Sequence, residues 1–172
     1  SVTTKGSRLI FLNGNEITFH SNVQEILKEA EKISTKLKNE GKPNYYEWNG
    51  GIGSAQMEWL DGELQNATDK KQKVAVFCHY PLLPFEAHSL WNSEEVLTIL
   101  SKFSCVKMYM NGHNHAGNYV FQNGIHFVNL KGMVETENEN AFSIISFSDD
   151  KIEIEGFGRE VSRTLLFDKQ SN

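Results

Sequence analysis

The chain has 172 residues, a length that suits one ordinary domain or part of a larger one. Seventeen Lys and Arg against 22 Asp and Glu leave a net charge of -5, which argues against non-specific nucleic-acid binding. Hydrophobic residues make up 39% of the sequence, and no apolar run approaches the ~20 residues that span a bilayer, so neither general disorder nor a transmembrane helix is expected.

Arg8-Leu9-Ile10-Phe11-Leu12 reads as a short buried strand, and Asn13-Gly14-Asn15 as a turn. From Asn22 to Glu40, apolar residues recur at three- and four-residue spacing: Val23, Ile26, Leu27, Ala30, Ile33 and Leu37. That is a helix, with Gly41 and Pro43 as its stop signals. Residues 45–53 form a loop dense in aromatics and glycine. Ser54 is expected to cap a second helix with Met57, Leu60 and Leu64 on its inner face.

Lys73 to Cys78 reads as a strand covered on both faces, and it ends at His79-Tyr80-Pro81. A loop follows, from Leu82 to Trp91. Asn92-Ser93-Glu94-Glu95 then has the form of a capping box, with Glu95 reaching back to Asn92. The next strand, Val106 to Met110, runs into Asn111-Gly112-His113-Asn114-His115. Beyond it the pattern turns to hairpins. Asn123-Gly124 joins 118–122 to 125–129, and 148–151 joins 141–147 to 152–156. A last strand is expected over 164–167. Alternating strands and helices followed by hairpins predict a layered α/β architecture with a mixed sheet. Cys78 and Cys105 read as buried free thiols, with no disulfide framework. The start carries neither Met nor a signal-peptide core, so the chain is expected to be a processed product or part of a longer protein.

There are six histidines. His79 directly follows one buried strand, and His113 and His115 follow the next. In open α/β sheets the carboxyl ends of strands face the ligand crevice. Gly112 is expected to let the chain turn there. A spacing of two in extended chain would put His113 and His115 on one side, where neutral imidazoles can hold a metal. His20 and His88 sit in ordinary turn contexts, and His126 is expected to be packed or hydrogen-bonded in its hairpin.

Cys78-His79-Tyr80-Pro81 and Asn111-Gly112-His113-Asn114-His115 resemble the last two motifs of the calcineurin-like metallophosphoesterases. Further similarity, in Asn49-Gly50-Gly51-Ile52, Gln56-Met57-Glu58-Trp59-Leu60-Asp61, Trp91-Asn92 and Lys131-Gly132-Met133-Val134-Glu135-Thr136, points to the manganese-dependent ADP-ribose/CDP-alcohol diphosphatase branch. The resemblance implies a sandwich of mixed β-sheets flanked by helices. It implies hydrolysis of nucleotide-diphosphate linkages by two divalent metals, Mn foremost, with Fe or Zn as alternatives. His79 and His113 would bind one metal and His115 the other. The implied ligand is a small nucleotide diphosphate, with no nucleic-acid or membrane partner and a cytoplasmic location. Tyr46 and Trp48 are candidates to stack on a base, and Ile52 and Trp91 to line the nucleotide site.

The superfamily's earlier motifs, an Asp-x-His, a Gly-Asp and a Gly-Asn-His-Asp/Glu, do not occur in this sequence. Gly14-Asn15-Glu16 looks like the third but lacks its His. The expectation is that residues 1–172 are the C-terminal half of one metallophosphoesterase domain, inactive alone and completed by an N-terminal half. No further catalytic residue is assigned within it. The alternatives are a non-catalytic structural or partner-binding module, and a mononuclear metal site built from the three histidines.

Overall fold

The computed structural model describes residues 1–4 and 6–167. Their apolar runs form a six-stranded sheet in the order β1 (Val2–Thr4), β2 (Ser7–Phe11), β3 (Lys73–Phe77), β4 (Val106–Asn111), β6 (Ile125–Asn129), β5 (Asn118–Gln122). β2, β3, β4 and β6 are parallel, while β1 and β5 run antiparallel at the edges. A second, antiparallel sheet contains β7 (Ala141–Phe147), β8 (Lys151–Gly158) and β9 (Arg163–Leu166).

The central strands are apolar on both faces because both faces are covered. On one side lie α2 (Ser54–Asp69) and α3 (Ser93–Ser101), whose Leu60, Leu64, Val96 and Leu100 pack with Val74, Val76 and Tyr109. On the other side, Ile152, Ile154 and Leu165 of the second sheet pack with Ala75, Met108, Met110 and Val128. The layers are therefore helices, mixed sheet, antiparallel sheet, as the residue pattern predicts. Between β3 and β4 the register slips by one: Val74 faces Val106 but Ala75 faces Met108, so Lys107 has no partner in β3. Among the described residues, no helix is long and apolar enough to cross a membrane.

α1 (Gln24–Asn39) forms a smaller cluster in which Ala30 packs with Ile17 and Trp91. It ends as its sequence predicts. Gly41 takes φ +67 and donates to the Lys38 carbonyl, and Lys42 N–H reaches the Leu37 carbonyl at 2.9 Å. The hairpin at Asn123-Gly124 is also as expected, with φ +52 and +75. His126 is buried, bonded to Tyr119 Oη and the Leu166 carbonyl. Cys78 is buried, whereas Cys105 is only half-buried, taking a hydrogen bond from Thr68 Oγ1. Burial raises both thiol pKa values.

Both expected helix caps are replaced by long-range contacts. Gly53, not Ser54, holds the cap position of α2. Its N–H donates to Glu16 Oε2 at 2.8 Å, and Gln56 Nε2 donates to the same oxygen. That carboxylate sits at the positive end of the helix. The capping box at α3 does not form either. Asn92 instead pairs with the buried backbone of Ile52: its Oδ1 accepts the Ile52 N–H at 3.1 Å and its Nδ2 donates to the Ile52 carbonyl at 2.6 Å. One side chain thereby ties the start of α3 to the loop before α2. Asn92→Ala would strand two backbone groups, and we expect it to lower unfolding stability by about 2 kcal/mol. Urea midpoints at unchanged slope check this.

Candidate metal centre

Parallel pairing brings the carboxyl ends of β3 and β4 to one edge of the sheet. His79 lies two residues past β3, and His113 two residues past β4. Backbone bonds continue the ladder beyond the strands, from Cys78 N–H to the Met110 carbonyl at 3.1 Å and from Gly112 N–H to the His79 carbonyl at 3.0 Å. The two imidazoles therefore meet, with His79 Nε2 and His113 Nδ1 3.1 Å apart.

The turn that achieves this differs from the sequence expectation. It is His113, with φ +66, and not Gly112, that takes the left-handed conformation. Asn114 N–H closes onto the Gly112 carbonyl at 2.8 Å, a tight turn centred on His113. The segment is not extended, so a spacing of two is not what places His115 beside the pair. Such backbone strain is about 1–3 kcal/mol and persists only where neighbours over-determine it. Here Asn129 Nδ2 donates to the Asn114 carbonyl, and Asn114 Nδ2 donates to Glu86 Oε1. Asn49 Oδ1 lies 3.0 Å from His113 Nε2.

His115 lines the same cavity, which has a volume of about 430 Å³. Its Nδ1 is 2.5 Å from Glu135 Oε1, in the 3-10 turn Met133–Glu135. Gly132 packs on the ring so closely that a Cβ there would stand 2.5 Å from His115 Cγ. Only glycine fits at that position. With Nδ1 held by Glu135, Nε2 is the nitrogen left to ligate, the arrangement in which a carboxylate orients a metal-binding imidazole.

Burial first, then the charge of His115, pushes the His79 pKa down. Burial, followed by His79, His88 and His115, lowers His113 to about 4. Neutral imidazole is the form that ligates. The donor set therefore fits a divalent transition metal, but as part of a shell. Among the described residues, no three His, Cys, Asp or Glu side chains come together closely enough to hold an ion.

The expected substrate residues do not join this cavity. Ile52 is 1% and Trp91 3% exposed, both inside the fold, and Trp91 Nε1 donates to the Tyr46 carbonyl. The Tyr46 ring lies between Tyr45, at 4.4 Å, and Trp48, at 4.1 Å, so neither of its faces is open to a base. Tyr46 and Trp48 line a separate cleft of about 490 Å³ beside α1. Conversely, His88 lies nearer the centre than its turn context suggests, its ring 5.5 Å from that of His113. His88, Asn49 and Glu135 reach the site through tertiary contacts; Asn49 and Glu135 lie in segments that carry the family resemblance, but local spacing does not place any of the three beside the histidines.

A pH dependence follows. In the fold His113 stays mostly neutral until pH approaches about 4, whereas unfolded histidine takes its proton near the ordinary value of 6.5. Its contribution to stability is complete above the unfolded value and is lost as pH falls toward the folded one, because there the unfolded state binds the extra proton. We expect urea midpoints to fall across that window, and to fall less steeply in His113→Gln.

No family model matches the sequence. Over 130 residues the chain is 36% identical to the manganese-dependent ADP-ribose/CDP-alcohol diphosphatase of Xenopus laevis, covering 73% of this chain and 36% of that protein. It is also 36% identical over 120 residues to the Arabidopsis thaliana protein of the same name, covering 67% and 39% respectively. The fold superposes on a dimetal phosphatase from Danio rerio with a TM-score of 0.86 at 24% identity, over 95% of this chain and 58% of that one. The chain thus spans less than two fifths of the length of these curated relatives. Sequence and fold agree: the chain is a homologue of the manganese-dependent ADP-ribose/CDP-alcohol diphosphatases, built on the metallophosphoesterase fold.

Proposed function

We propose that this chain is the C-terminal part of a metal-dependent hydrolase that cleaves nucleotide-diphosphate linkages such as those of ADP-ribose and CDP-alcohols. The observation that carries the reading is the convergence of His79 Nε2 and His113 Nδ1 at 3.1 Å on the carboxyl edge of the sheet. His79 and His113 are the proposed ligands of one divalent ion, and His115 of the other. Such ions, manganese by the example of the relatives, supply Lewis acidity to the phosphoryl oxygens and lower the pKa of a water.

The chain's own residues hold and aim the donors. Glu135 and Gly132 fix the His115 ring. The strained turn and its clamps fix His113. Burial keeps His79 and His113 unprotonated at neutral pH. Two cations roughly 3.5–4 Å apart repel strongly and call for a carboxylate between them. Among the described residues no Asp or Glu stands in that place, so we assign the bridging group to a segment outside these 172 residues. A small anionic nucleotide suits the cavity, and the net charge of -5 speaks against nucleic acid as the partner.

The purified 172-residue chain is expected to hydrolyse ADP-ribose and CDP-choline negligibly with manganese present. Joined to a segment carrying Asp-x-His and Gly-Asn-His-Asp/Glu, it should turn both over. In that joined protein, His113→Ala should lower kcat/KM by more than ~100-fold, beyond the usual effect of losing a partner of a ligand. His20→Ala should leave most activity. Robust turnover by the 172 residues alone would overturn the need for outside groups. A joined protein that folds but never turns over would favour a non-catalytic module.

A further inference from the structure

We propose that Asn49 is a positioning residue that fixes His113 in its Nε2–H tautomer and so aims the bare Nδ1 at the point it shares with His79. The inference rests on the reading of this edge as a metal centre, and it gives Asn49, which the sequence marks only as part of a shared segment, a role of its own.

Asn49 is fully buried, in the aromatic and glycine loop before α2. Its amide makes three contacts. Nδ2 lies 3.0 Å from the Asn44 carbonyl and 2.7 Å from the Ala87 carbonyl, and Oδ1 lies 3.0 Å from His113 Nε2. Carbonyl oxygens only accept, so the two amide hydrogens are committed to them. Rotating the amide by half a turn would set Oδ1 against both carbonyls and leave three acceptors facing one another in a buried place. The orientation is therefore forced by the network. Oδ1 can only accept, so His113 Nε2 must carry the hydrogen.

A neutral imidazole has one hydrogen. With it on Nε2, the Nδ1 lone pair is free, and it is Nδ1 that stands 3.1 Å from His79 Nε2. In the other tautomer Nδ1 would carry the hydrogen into the space where a ligand nitrogen must be bare. Asn49 would then face a second unprotonated atom, a buried acceptor against an acceptor. One amide thus selects both which nitrogen is offered and the angle of the ring. Its own anchors are the Asn44 carbonyl, just before the same loop, and the Ala87 carbonyl, in the loop before α3. Asn44 is anchored in turn, its Nδ2 donating to the Leu90 carbonyl at 2.8 Å.

The test is the protonation pattern of the His113 ring, which a merely structural asparagine would not dictate. Two-bond nitrogen–proton correlations on the labelled 172-residue chain, at about pH 8 where imidazoles are neutral, should show His113 protonated at Nε2 and bare at Nδ1. Asn49→Asp keeps an acceptor toward Nε2 and should keep that pattern, at a cost in stability because its second oxygen faces the Asn44 and Ala87 carbonyls. Asn49→Leu should replace it by a mixture of both tautomers while the His126 signals stay in place. In the protein joined to the segment carrying Asp-x-His and Gly-Asn-His-Asp/Glu, manganese affinity, read by calorimetry, should fall about 10–100-fold in Asn49→Leu and by much less in Asn49→Asp. Protonation of His113 at Nδ1 in the parent chain would overturn the assignment. So would an Asn49→Leu chain that is folded by its amide spectrum and still shows the single Nε2–H form. If Asn49→Leu does not fold, the parent and Asn49→Asp spectra decide. A parent chain with the expected tautomer whose joined form, carrying the Asp-x-His and Gly-Asn-His-Asp/Glu segment, folds but binds no manganese would refute the metal-centre reading and leave the role of Asn49 standing.

Discussion

Parallel pairing of β2, β3, β4 and β6 is the constraint on which the rest depends. Parallel strands all end on the same edge, so whatever follows β3 and β4 must meet there. The pairing also demands cover on both faces, which the helices supply on one side and the antiparallel sheet on the other. Rigid strands and two packed cores give the His79–His113 approach its fixed distance. Loops alone would leave such a pair free to drift.

The ends of those strands are then held by side-chain amides. Asn111 and Asn129 face each other across β4 and β6, with Asn111 Nδ2 donating to Asn129 Oδ1 at 2.5 Å, and Asn129 Nδ2 reaches on to the Asn114 carbonyl. Asn49 and Asn92 each bridge segments distant in sequence. Amides suit this task. They donate and accept at once without carrying charge into the low-dielectric interior, and so do not compete electrostatically with a cation at the edge. The left-handed turn at His113 is stable only within this mesh.

Most of the architecture is legible in the sequence because its causes are local. Continuous apolar runs mark the covered strands, Asn123-Gly124 marks the hairpin, and Gly41 marks the end of α1. The caps were misleading for a physical reason. Ser54 and Asn92 are locally competent, but Glu16 and the Ile52 backbone, brought in by tertiary folding, offer better-satisfied partners. Two of the six histidines show the same limit. The strand-end context singles out His113, yet the turn is carried by His113 itself, because the hydrogen bonds that hold it come from Gly112, Asn49 and Asn129. The proximity of His88 to His113 comes from the path of the 82–91 loop, which no periodicity encodes.

The one-residue slip at Lys107 has a consequence for how this chain tolerates change. Because Lys107 is unmatched in β3, it resets which residues of β4 look toward the helices and which toward the second sheet: Val106 and Tyr109 go one way, Met108 and Met110 the other. The identity of that residue matters little, since its side chain is only half-buried. Its removal would not disturb that facing: Met108 would follow Val106 directly, and regular alternation would still send Val106 and Tyr109 toward the helices and Met108 and Met110 toward the second sheet. A residue gained or lost after Met108 has no such slack and would turn the rest of the strand, and the histidine turn behind it, to the opposite face. Around this strand, tolerance of a change in length is therefore concentrated at one position.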